Sequence, residues 1–209
     1  MMKQHRFFFF SFLAAFCLLF SGCAFNSQPA AVLYDLGPAP FEAETHALPA
    51  EMPRLLVSQV NAADWLNSSK MYYRLAQVND QQTWFYTLSR WNTRPSKLFS
   101  ERFQSALLAS GSEVENGMAA PDAWRVTVHI EDFSQYFYDA SKSEGRIVLR
   151  VSVAGKNGRL LQKRFLRAEP AMSPDAAGGA AALAAATDGI IADILQWVGE
   201  NCRRQAGDD

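Results

Sequence analysis

The alternation of apolar and polar residues is clearest in the middle of the chain. Trp124, Val126, Val128 and Ile130 alternate with Arg125, Thr127, His129 and Glu131, and Ile147, Leu149, Val151 and Val153 alternate with Val148, Arg150 and Ser152. A period of two with one apolar face predicts antiparallel strands half buried against a core. Gly155-Lys156-Asn157-Gly158 predicts a tight turn, because Asn-Gly tolerates positive φ, and Leu160–Ala168 returns as a third strand. Upstream, Met71–Leu75 and Thr83–Leu88 are aromatic and β-branched runs separated by Asn79-Asp80-Gln81-Gln82, the pattern of a hairpin. Arg54–Val60 is strand-like with apolar residues on both parities, so its buried face is ambiguous; Asn61–Ser69 follows as a loop carrying Trp65 and Leu66.

Two segments change period. After Pro95, which suits a first helical turn, Leu98, Phe99, Phe103, Ala106 and Leu107 recur at three- and four-residue spacing. This helix ends at Ser110-Gly111, with Gly111 as the left-handed cap. From Ser173-Pro174-Asp175 an alanine-rich helix runs through Ile190, Ile194 and Val198, with Ser173 as its cap and Pro174 at its first position. Its Gly178, Gly179 and alanines allow close approach to a neighbour, and packing on the sheet is favoured over a partner helix. The order strands, helix, strands, helix predicts an α+β fold: a two-layer sandwich of a mainly antiparallel sheet with two amphipathic helices on one face.

The N-terminal region has another organisation. Lys3 and Arg6 precede an apolar run from Phe7 to Phe20, then Ser21-Gly22-Cys23. That is the layout of a secretory signal, and the run is short of the roughly 20 residues that span a bilayer. A cysteine directly after small residues resembles the bacterial lipobox. The resemblance implies cleavage after residue 22, acylation of Cys23 and, with Ala24 rather than Asp following, sorting to the outer membrane. Several acyl chains on one residue would hold the chain firmly, since each buried methylene contributes ~0.8 kcal/mol. Residues 23–53 then read as a tether: five of the nine prolines lie there, and only Val32–Leu36 is apolar enough to dock on the body as a short edge strand. The expected organisation is a signal over 1–22, the tether over 23–53, one folded domain over 54–202 and a tail over 203–209.

Charge and inventory narrow the chemistry. The precursor carries 20 Lys+Arg and 21 Asp+Glu; loss of Lys3 and Arg6 leaves a net charge of about −3, with no basic concentration of the kind nucleic acid requires. With Cys17 removed and Cys23 acylated, Cys202 stands alone, as a free thiol or an interchain pairing site. His46 lies in the tether and His129 on a strand without a second ligand nearby, so no zinc set, and no cofactor, is indicated. Glu131-Asp132 are expected on opposite faces of their strand, a solvated rim rather than an acid/base pair. No nucleophile elbow or phosphate loop occurs, and a non-enzymatic domain is expected. The remaining oddity is aromatic. Consecutive residues such as Tyr72-Tyr73 and Trp84-Phe85-Tyr86 face opposite ways on a strand, so not all enter one core. They divide between core, scattered surface, a protein interface and lipid contact.

Several motifs resemble the ABC-type transport auxiliary lipoprotein family, which includes the PqiC-type lipoproteins. Tyr34-Asp35-Leu36-Gly37-Pro38 is similar to its Tyr-x-Leu-x-Pro opening after the lipidated cysteine. Leu55-x-Val57, Trp65-Leu66 and Met71-Tyr72-Tyr73-Arg74 are similar to its first strand, loop and second strand, and Arg90-Trp91 before Pro95 to its Arg-Trp-x-x-x-Pro segment. The resemblance spans roughly residues 23 to 200. It implies a lipid-anchored auxiliary subunit beside MCE-domain proteins and an inner-membrane ATPase and permease, moving phospholipid or other hydrophobic cargo between membranes. Tyr34, Trp65, Leu66, Tyr72, Tyr73, Trp91, Tyr136 and Tyr138 are the candidate partner or lipid contacts. Alternatives are a lipoprotein that binds or plugs an outer-membrane barrel, and a periplasmic lipid-binding carrier; homo-oligomerisation is left open.

Overall fold

A computed structural model describes residues 29–40, 54–110, 123–155 and 158–206. Cys23, the segment 1–22 expected to be a signal, His46, Gly111 and the tail at 207–209 lie outside the described residues. From Ala31 onwards the chain forms one compact unit. It holds strands β1 (Val32–Tyr34), β2 (Leu55–Ala62), β3 (Lys70–Leu75), β4 (Asp80–Trp91), β5 (Trp124–Phe137), β6 (Ser143–Ala154) and β7 (Leu160–Pro170). The helices are α1 (Ala76–Asn79, a single turn), α2 (Pro95–Ala109) and α3 (Ala176–Ala206). The fold is α+β, as the periodicity predicts.

The sheet runs β1-β4-β3-β5-β6-β7, with β2 also paired to β5. Its long pairings, β5 with β6 and β6 with β7, are antiparallel, as is β3 with β4. Three shorter pairings are parallel: β1 with β4, β2 with β5 and β3 with β5. β2 and β3 lie end to end along one edge of β5, because β2 pairs with Trp124–Ile130 and β3 with Ser134–Phe137. The hairpin from β3 to β4 is closed by α1 rather than by a turn at Asn79–Gln82.

Fourteen-residue β5 keeps its apolar side inward by means of a bulge. Val126, Val128 and Ile130 are fully buried, and so is Phe133, which breaks their parity. The pairing with β6 shifts between Ile130 and Asp132. The extra residue turns both Glu131 and Asp132 outward, correcting the expectation that these acids face opposite ways. A second shift between Val57 and Gln59 explains the ambiguous alternation of β2, where Val57 and Val60, of opposite parity, both pack against the core.

Pro95 occupies the first turn of α2, and Arg94 before it is extended (φ −70°, ψ 149°). Phe99, Phe103 and Leu107 are completely buried in one core cluster with Leu183, Ile190, Ile194 and Val198 of α3. α3 lies chiefly across β6 and β7. Ala176–Cys202 has the length and apolarity of a membrane span, yet its apolar side chains form the core over the sheet. Its cap is Asp175, whose carboxylate accepts the Gly178 N–H at 2.8 Å. Ser173 instead donates to Asp175 at 2.8 Å, and Pro174 precedes the helix, because Asp175 offers the stronger, charged acceptor to the dipole.

The close approach of helix and sheet falls at Gly145. A Cβ there would lie 2.5 Å from the Leu183 backbone nitrogen. Gly145→Ala is expected to push α3 off β6 and destabilise the fold by about 1–3 kcal/mol, read as a lower urea midpoint with unchanged slope. An unchanged midpoint would show that the contact has room to relax.

Candidate docking surface

The segment leading into the body is fixed in two ways. Val32, Leu33 and Tyr34 pair in parallel with Ser89, Arg90 and Trp91, and the Asn92 N–H donates to the Tyr34 carbonyl at 2.7 Å. Beyond β1, Gly37 has φ +68°, a conformation that suits glycine, and its N–H donates to Asp35 at 2.7 Å. Arg102 of α2 then joins three elements. Its guanidinium donates to Asp188 of α3 at 2.7 and 3.2 Å, to the Leu36 carbonyl at 2.8 Å and to the Gly37 carbonyl at 3.2 Å. Burial pushes the Asp188 carboxyl up, and Arg102 opposes that shift.

The aromatic residues sort by face. On the helix-covered side, Tyr73 packs on Tyr86 at 4.9 Å and on Phe137 at 5.8 Å between centroids. The Tyr86 hydroxyl donates to Gln135 at 2.9 Å, and Gln135 donates to Ser143 at 2.8 Å. Burial raises the Tyr86 phenol well above its ordinary range. Gly179 of α3 leaves room for the Gln135 carboxamide, which a Cβ would strike. On the opposite face, Tyr72 meets Trp65 edge-on at 5.0 Å and Phe85 at 6.4 Å, and Tyr136 meets Tyr138 at 5.4 Å. Cations interleave with these rings. Arg146 lies 3.7 Å over Tyr136, Lys70 4.1 Å over Phe85 and Arg74 5.4 Å over Trp65.

Not every candidate contact reaches the surface. Leu66 and Trp91 are core residues, 0% and 1% exposed, and are withdrawn as partner or lipid contacts. Trp91 stacks edge-on against Phe133 at 5.4 Å. Tyr34, Trp65, Tyr72, Tyr73 and Tyr136 are half-buried and Tyr138 is exposed. The residues missed by the motif-based choice are Trp84, Phe85 and Leu88, 40%, 44% and 51% exposed. Their signal was the run Gln81–Ser89, which is uncharged throughout and rich in β-formers.

The polar groups form ion pairs. Glu131 pairs with Arg164 at 2.7 Å and Arg150 at 3.1 Å, and Arg164 foremost holds its carboxyl below the usual range. Asp132 faces Arg74 at 3.5 Å. Among the described residues no group of three His, Cys, Asp or Glu converges on a metal-sized site. Cys202 is 1% exposed, and burial pushes its thiol up to about 12, which favours the free thiol of the two alternatives over interchain pairing. A groove of about 340 Å³ lies between Leu33–Gly37 and Ala177, Ala180 and Ala184 of α3.

A sheet covered on one side by a long core helix, with Arg102 tying that helix to the segment after the leading strand, is the frame that carries the exposed aromatic residues. The family model of the ABC-type transport auxiliary lipoprotein component matches residues 34–195, and the chain belongs to that family. Two crystal structures share the fold. A Xanthomonas campestris protein, XCC0632, described as a DUF330 member, superposes with TM-score 0.73 at 19% identity, covering 85% of this chain and 99% of its own. An uncharacterized protein superposes with TM-score 0.63 at 17% identity, covering 81% and 99%. No curated protein matches the chain at a significant level.

Arg102→Ala is expected to cost about 3 kcal/mol, the low end for a broken buried pair because Asp188 keeps some solvent contact. The loss should shrink in Arg102→Ala/Asp188→Ala. In the single variant burial acts on Asp188 unopposed, so its folded pKa lies further above the unfolded value. Stability is then relatively preserved below the unfolded pKa and lost as pH rises through the folded one. Urea titrations across the acid range test this; a pH-independent deficit would refute it. Cys202 should resist thiol reagents at mildly alkaline pH until the chain unfolds, and rapid native labelling would contradict its burial.

Proposed function

We propose that this chain is an outer-membrane-anchored, periplasm-facing docking subunit of an MCE-type ABC transport system for phospholipid or other hydrophobic cargo, acylated at Cys23 after removal of residues 1–22. The family match over residues 34–195 carries the reading. The Cys23 motif supplies the anchor, and Ala24 directs it outward. The protein contributes contact and position rather than turnover. ATP is consumed by another subunit, which reaches this one through an MCE-domain protein. The periplasmic-carrier alternative is disfavoured: the core between α3 and the sheet is filled, and the 340 Å³ groove stands at the small end of ligand pockets, too small to enclose a two-chain lipid.

Intact-mass analysis of the membrane-extracted protein is expected to show a chain beginning at Cys23 with acyl additions, and Cys23→Ser should shift it to the soluble periplasmic fraction. Native co-purification should recover an MCE-domain protein. Recovery of a barrel protein instead, with no MCE component, would move the assignment to the envelope-assembly alternative.

A further inference from the structure

Several of the exposed apolar residues lie towards one end of the sheet. Leu75 pairs with Phe137 and Phe137 with Ser143, while Glu144 pairs with Pro170 and Tyr73 with Trp84. These registers bring three separate connections to the same end: α1, which closes the β3–β4 hairpin, the β5–β6 turn and the segment into α3. Each carries an exposed apolar residue, Val78 (67% exposed), Tyr138 (42%) and Met172 (94%), and Trp84 and Phe85 are exposed further along β4. Lys70 and Lys142 stand over the Phe85 and Tyr138 rings at 4.1 and 5.6 Å.

The direction of β1 links this end to the anchor. β1 is parallel to β4, with Val32 opposite Ser89 and Tyr34 opposite Trp91. The chain ahead of Val32 therefore approaches from the side of Leu88, the side on which Trp84 and Phe85 lie. Eight residues lie between Cys23 and Val32, a span of at most ~30 Å. Arg102 and the β1–β4 pairing keep the segment after Val32 from lengthening that span.

We infer that this end of the sheet is a second membrane contact, with Trp84, Phe85, Tyr138 and Met172 entering the interfacial layer of the bilayer that holds the acyl chains. The inference rests on the proposed acylation of Cys23 for its choice of partner. Apolar residues on three connections suit a planar partner better than a groove. Aromatic rings beside lysines match the composition of a bilayer interface, where rings sit at headgroup level and cations meet anionic lipid.

The test uses the chain from Ala24 onwards with an N-terminal hexahistidine tag in place of the acylated cysteine. It is tethered to vesicles of phosphatidylethanolamine and phosphatidylglycerol with brominated acyl chains and a nickel-chelating lipid. Tryptophan quenching by the bromolipid is expected, and Trp84→Phe should abolish it while preserving the fold. Phe85→Glu/Leu88→Glu, which keeps Trp84, should also lose the quenching. Quenching that is absent from the tethered chain, or unchanged in Trp84→Phe, overturns the inference. So does shielding of Trp84 from aqueous quencher only when a protein partner is added. The tag stands in for the lipid, so failure here leaves the acylation reading intact, and an unacylated native mass leaves this result to stand by itself.

Discussion

The bulge at Glu131 is the constraint from which most of this architecture follows. A fourteen-residue strand with strict alternation would either bury Ile130 and expose Phe133 or the reverse. One extra residue lets both enter the core, where Phe133 supports Trp91 and, through it, the end of β4 to which β1 is paired. The same extra residue sends Glu131 and Asp132 outward to Arg150, Arg164 and Arg74. Beyond the bulge β5 changes partner on one edge, from β2 to β3. The core half of the sheet and its aromatic wing are therefore joined by one continuous strand.

Arg102 is the corresponding device on the helix side. An arginine this buried requires every donor direction to find an acceptor. Asp188 and the carbonyls of Leu36 and Gly37 supply them. A salt bridge alone would be weak grounds for stability, since desolvation offsets much of the attraction. Here the geometry does something a hydrophobic pair would not: it fixes an irregular, proline-flanked segment whose own backbone groups have few regular partners. The segment after β1 is thereby made part of the folded unit.

Sequence reasoning reached the parts governed by period. The strands around Val126–Ile130 and Ile147–Val153, the helix after Pro95 and the long C-terminal helix were all legible because one face of each is uniformly apolar. What escaped was non-local. Parallel pairing of β2 and β3 with β5 leaves no mark in either strand alone. The bulge at Glu131 was hidden because two acids on a strand look like ordinary rim residues. Asp175 displaced Ser173 as the cap because both are good caps by type and only the chain path decides between them. For the candidate surface, the split of Tyr72 from Tyr73 followed from strand geometry. The burial of Leu66 and Trp91 did not, because motif resemblance marks residues that hold the fold as readily as residues that touch a partner.

The chain's apolar surface is spent in two unlike ways. α3, which by composition could lie in a bilayer, is enclosed by β6, β7 and α2. A core helix needs an unbroken apolar stripe, and its small residues admit Gly145 and the Gln135 carboxamide. The apolar residues left outside include single side chains on short connections, Val78, Tyr138 and Met172, too sparse to insert deeply and too exposed to be core. With Cys23 acylated as proposed, an anchor at one residue restrains distance and leaves rotation free. A second, weak contact at the end of the sheet from which the tether departs would restrain rotation as well, because two separated attachments define an axis and the several tips resist turning about it. On that reading the far end of the sheet, where β5 begins at Trp124 and β6 finishes at Ala154, is turned towards the periplasm. Binding energy at the tips need not be large, since tethering already supplies a high effective concentration at the surface.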